Sequence, residues 1–161
     1  MRIWIALLLL SAAPASAQQV LFAGGHWAAI DRGLTCEAGS RALRIATEGK
    51  VQARAGFAFD SAGPRSGQFF ALLSRAPRAG STVVLTVGDQ PFLLAVGGQW
   101  AWSTGPAQEQ AIIAAARSAG GLTLRARDQG GSSFTDRYVL DGAATAIDAA
   151  AARCAGKSVR S

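Results

Sequence analysis

The chain has 161 residues, half of them hydrophobic and 16% charged, with 16 Lys and Arg against 10 Asp and Glu for a net charge of +6. That length supports one domain with a real core and excludes two comfortable ones. The basic residues are scattered singly and aromatic side chains do not interleave with them as a stacking groove requires, which argues against nucleic acid as the partner; solubility or contact with anionic envelope surfaces accounts for the balance.

The first element in chain order is a leader. Met1-Arg2 is a short basic start, residues 3–10 are an unbroken apolar run, and Ser11-Ala12-Ala13-Pro14-Ala15-Ser16-Ala17 supplies small residues and a helix breaker. This is the order of a signal peptide, with Ala15 and Ala17 before the cut. A membrane span needs about 20 apolar residues, so the expectation is cleavage after Ala17, no stable membrane insertion afterwards, and a periplasmic or secreted domain over 18–161.

Within that domain, short apolar stretches are separated by glycine. Residues 20–23, 27–30 and 42–46 are candidate short strands, and Val51, Ala53, Ala55, Phe57 and Phe59 alternate with Gln52, Arg54, Gly56 and Ala58, the period of a strand with one buried face. Strands are predicted over 68–73 and over the β-branched 82–87. Gly88-Asp89-Gln90-Pro91 reads as a turn, 92–96 as a return strand, and Gly97-Gly98 as a second turn before 99–102. Trp100 and Trp102 then share one side of a strand, with Gln99 and Ala101 on the other. A largely buried core or sheet-covering pair is the expected role of the two indoles; a ligand-stacking platform is the alternative, with Trp27 as a third lining candidate.

Pro106 at a first helical position, Gln108 and Glu109 in the first turn, and Gly120 past the end predict a helix. Strands follow over 122–125 and, after the Gly130-Gly131 turn, over 132–140. Asp141 is placed to cap a second helix over 142–154, whose face of Ala143, Ala146, Ile147, Ala150, Ala151 and Cys154 points inward. The order implies a mainly β protein, an antiparallel β-sandwich or barrel-like fold with two peripheral α-helices.

Cys36 and Cys154 are the two cysteines. In an oxidising compartment two thiols and no others predict one disulfide. With His26 they fall short of a four-ligand zinc site, and there is no C-x-x-C redox pair, so neither a metal nor another cofactor is expected. His26 lacks the positioned nucleophile and orienting carboxylate of a catalytic base, and Asp136 and Asp141 show no sign of converging as a glycosidase pair. The expectation is a protein that is not an enzyme and has no catalytic residues. It binds an envelope component or another protein; a small-ligand carrier using an aromatic-lined β-structure is the second reading, and a hydrolase the third.

One further pattern bears on this. The run from Thr82 through Gly88-Asp89-Gln90-Pro91-Phe92, then Gly98-Gln99-Trp100-Ala101-Trp102, Ile112-Ile113, Tyr138-Val139-Leu140-Asp141-Gly142 and a closing Cys154 resembles the invasion-associated locus B (IalB) family, with Trp27 leading to Cys36 in similar fashion. The resemblance covers residues 82–154 well and 20–81 loosely. It implies a secreted or periplasmic β-sandwich of undefined biochemical activity. The chain departs from longer members in lacking an extra internal cysteine pair and in carrying Ala143 where an aromatic often follows the glycine, which makes it a short, divergent branch.

Overall fold

The computed structural model describes residues 18–157, so the leader assigned above lies outside the described residues. The strands are β1 (Gln19–Gly24), β2 (Trp27–Asp31), β3 (Thr35–Arg41), β4 (Arg54–Asp60), β5 (Ser66–Leu72), β6 (Val83–Val87), β7 (Gln90–Gly97), β8 (Trp100–Trp102), β9 (Gly121–Arg127) and β10 (Ser133–Val139). Helix α1 (Pro106–Ser118) separates β8 from β9, and α2 (Ala143–Ala155) follows β10. The fold is mainly antiparallel β with two helices. One ten-stranded order, β1-β2-β3-β4-β5-β8-β7-β6-β9-β10, runs through it. The sheet curls until its far end meets its beginning: the Trp27 indole N–H donates to the Val139 carbonyl at 2.9 Å, and the Leu43 N–H to that of Arg137 at 2.8 Å.

The core lies on the concave face. The alternation in 51–59 turns Ala55, Phe57 and Phe59 inward, with Ala53 buried just before the strand, but the expected single buried face does not hold, since Gly56 and Ala58 on the other side are buried too; register sets Phe57 between Ala38 of β3 and Phe69 of β5. Phe57 meets Trp27 at 6.0 Å and Phe69 edge-on at 5.5 Å. Leu85 of β6 faces Leu124 of β9. Full burial of each such side chain contributes about 1.5–3 kcal/mol. Both helices cover this face and leave their opposite sides to solvent; α2 buries Ala143, Ala146, Ile147, Ala150 and Cys154, while α1 buries Ile112, Ala115 and Ala116.

Cys36 and Cys154 form a disulfide with Cα atoms 5.8 Å apart, inside the range that two cysteines can bridge, and both are buried. Beside it, Asp31 of β2, the partner of Cys36 in register, holds the end of α2. Its carboxylate accepts from Arg153 Nε at 2.7 Å, from Lys157 Nζ and from the Gly33 N–H at 2.8 Å. The Lys157 hydrogen bond, then that of Arg153, hold Asp31 far below the usual carboxylate range.

Three expectations are corrected. Residues 42–46 are not a strand; the strand is β3, just before them, where Ala38 and Cys36 pack inward. Asp141 does not cap α2. The N-cap is Gly142 at φ 87°, with no side-chain cap, because the β1–β2 turn presses on this corner: a Cβ at Gly142 would stand 2.2 Å from the Gly24 carbonyl oxygen. Trp100 and Trp102 share a face, but Trp100 is exposed while Trp102 is half-buried, since Ala101 takes the inward position opposite Ala71 and turns both indoles to the outer side.

Candidate functional site

The convex face of β2–β5, β8 and β7 is built in rows that run across the strands. One row is Ala28, Gly39, Gly56, Phe70, Trp102 and Ala95, each hydrogen-bond register pairing it with the next. The neighbouring row is Arg41, Arg54, Leu72, Trp100 and Gly97. At about 4.8 Å between strands, the first row crosses about 24 Å.

Small residues make the floor and aromatic residues the wall. Gly39 and Gly56 are direct partners; Gly39 is half-exposed and lines the larger depression, while Gly56 is buried beneath the Phe70 ring. Gly56 is required there: a Cβ would stand 2.3 Å from the Ala38 carbonyl oxygen and 3.0 Å from the Phe70 ring. Gly97 likewise leaves room for Trp102, whose ring would lie 2.8 Å from a Cβ. Two connected depressions result, about 900 Å³ over Gly39 with Ile30, Leu43 and Ile45 at its sides, and about 430 Å³ along Phe70, Trp100 and Trp102. Glu37, Arg54 and Phe70 line both, so they form one trough.

Arg54 sits at the junction. Its guanidinium lies 5.1 Å from the Trp100 ring centre and 5.8 Å from that of Phe70, and the two rings are 6.3 Å apart. Such stacking holds the cation in place while leaving its N–H edge free to donate. Glu37, the acidic residue of the trough, is paired with Arg32 at 2.7 Å. Arg65 at the rim is held by Asp60 at 2.7 Å, and that hydrogen bond keeps the Asp60 carboxyl below its ordinary range.

Of the predicted lining residues, Trp100 and Trp102 come together here, with Trp100 38% exposed. Trp27 lines the other end of the trough, in the larger depression, and not the part along Trp100 and Trp102; its indole is buried, 2% exposed, in the core. Arg41, Arg54 and Phe70 are the residues sequence reasoning missed. Alternation in 51–59 already sent Arg54 outward with Gly56, but nothing local shows that Phe70 and Trp100 lie beside it.

His26, exposed on the β1–β2 turn, lines the end of the larger depression, and its backbone N–H donates to the Asp141 carbonyl at 3.0 Å. The other titratable groups sit elsewhere. Asp136 is buried and accepts from the Ser74 N–H at 2.9 Å, while Asp141 is exposed. Glu109 of α1 is buried under Ser103, whose hydroxyl donates to it at 3.4 Å. Tyr138 Oη is a buried oxygen with no hydrogen-bond partner among the described residues; burial, then the Asp136 charge, push its phenol well above the ordinary range. Among the described residues no three His, Cys, Asp or Glu side chains gather as metal ligands would, and no helix is long and apolar enough to cross a membrane. No family model, curated protein or solved structure matches this chain.

Proposed function

We propose that this is a non-enzymatic periplasmic or secreted protein of the IalB type that docks an envelope component or another protein on its convex trough. The observation that carries the reading is the outward cluster of Phe70, Trp100 and Trp102 with Arg54 stacked among them. Aromatic and arginine side chains are the groups that dominate protein interfaces, because they bury large area with few rotatable bonds and carry a hydrogen-bonding end. The leader and the Cys36–Cys154 disulfide support an oxidising compartment.

Capture from envelope extract tests the reading. The intact protein should retain a partner that Trp100→Ala loses; equal capture by both would remove the trough as the docking site. Intact mass of the exported form should place its first residue at Gln18.

A small-ligand carrier is the second reading, favoured by the roughly 430 Å³ along the two outward indoles, within the size range of small-molecule sites. The concave side is filled by Phe57, Phe69, Leu85 and Leu124, so a carrier would use the same outer trough. Titration with a small apolar ligand separates the two, since a carrier shifts tryptophan emission at saturation and a protein-docking surface does not.

A further inference from the structure

Arg41 and Arg54 stand directly opposite each other on β3 and β4, on the convex face. Like charges directly opposite across an antiparallel pair are destabilising. Here no carboxylate offsets them: neither guanidinium has an acidic partner among the described residues, where the ion pairs involve Arg32, Arg65, Arg75, Arg117, Arg153 and Lys157. Arg54 also stacks on Trp100 and Phe70. Two arginines thus occupy paired positions beside an apolar trough that both line, Arg54 at its junction and Arg41 on the larger depression, and its acidic residue, Glu37, is already engaged with Arg32.

We infer that Arg41 and Arg54 together form the recognition point for a carboxylate on an extended segment of a partner protein, which lays its apolar side chains along the trough. The inference rests on the docking reading above and names the chemistry of the partner. A guanidinium pair offers parallel N–H donors that match a carboxylate's two oxygens. A protein segment, rather than an acidic glycan or a lipid headgroup, fits the flanking aliphatic groups: Ile30 lines the trough, and Leu43 and Ile45 are exposed beside it. About seven extended residues span the six strands of the first row.

The probe is a synthetic peptide of about eight residues with one Asp at its centre and Leu and Phe two residues to either side, so that the carboxylate and the apolar side chains share one face of the extended segment, read by tryptophan emission on the full mature protein. Its counterpart with Asn for Asp, polygalacturonate and phosphatidylglycerol vesicles are the comparison arms. The Asp peptide should bind at least about tenfold more tightly than the Asn peptide, and Arg41→Gln or Arg54→Gln should weaken it by about tenfold or more. Arg41→Gln should also raise the melting temperature, by about 1–4 °C, because the opposed charges no longer repel. Equal binding of the Asp and Asn peptides, unchanged affinity in both variants, a lowered melting temperature in Arg41→Gln, or binding of polygalacturonate or vesicles but not peptide would each overturn the inference. If envelope capture depends on Trp100 but not on either arginine, docking on the trough stands and the carboxylate partner falls. If capture is indifferent to Trp100, the docking reading itself fails.

Discussion

Cys36 and Cys154 join the third strand to the last helix across 118 residues of sequence, with their Cα atoms 5.8 Å apart. The bond ties both ends of the domain around the core that Phe57 and Ile147 help to fill. Because it chiefly restricts the unfolded chain, a loop of this length contributes up to about 4–5 kcal/mol in the chain-entropy description. Cys36→Ser should lower the melting temperature by on the order of 5–15 °C with the far-ultraviolet circular dichroism of the folded state unchanged. A melt indifferent to the substitution would show that the bridge does not constrain the unfolded ensemble.

The Asp31 clamp makes a pH-dependent contribution. Its carboxyl is held below the ordinary value of 3.8 by Lys157 and Arg153, so the folded state binds its proton less readily than the unfolded chain. Its stabilising contribution is complete above the unfolded value and is lost as the pH falls below it toward the folded one. Asp31→Asn should destabilise by about 1–3 kcal/mol at neutral pH, the scale of hydrogen bonds to a charged group. The difference from the native chain should shrink as denaturation is repeated below pH 4. A gap that stays constant down to strongly acid pH would remove the ionised carboxylate from the explanation.

Gly142 joins backbone geometry to packing. A side chain there would be strained by the positive φ and would strike the Gly24 carbonyl, so the β1–β2 turn and the start of α2 could not both keep their places. Gly142→Ala should cost on the order of 2–4 kcal/mol, more than the about 1–2 kcal/mol of the conformation alone. Chemical denaturation measures it. A loss under about 1 kcal/mol would mean that the turn moves aside freely.

Tyr138 gives the opposite sign. The residue is 2% exposed, and its buried hydroxyl lacks a partner among the described residues. Since leaving such a group unsatisfied costs about 1–3 kcal/mol, Tyr138→Phe should leave stability unchanged or raise it by about 1 kcal/mol. A clear destabilisation in urea melts would reveal that the hydroxyl is hydrogen-bonded to an internal water.

What the sequence determined by itself is what short-range periodicity encodes. Alternation in 51–59 separated Ala53, Ala55, Phe57 and Phe59 from Arg54 and Gly56, and the three-to-four spacing of Ala143, Ala146, Ile147, Ala150 and Cys154 marked the buried side of α2. Both patterns are local, set by the geometry of one element, and together with two cysteines they made the disulfide legible. The tertiary structure decided the rest. Strand β3 is rich in small and polar residues, and its extended state comes from ladders to β2 and β4. Alternation placed Trp100 and Trp102 on one side of β8, yet only the packing of Ala101 against the core determined that this side is outside. The meeting of Arg41 with Arg54, and of Arg54 with Phe70 and Trp100, depends on register between strands distant in sequence. A one-residue slip in any of those ladders would turn the same side chains to the other face, so no reading of one segment at a time can locate the trough.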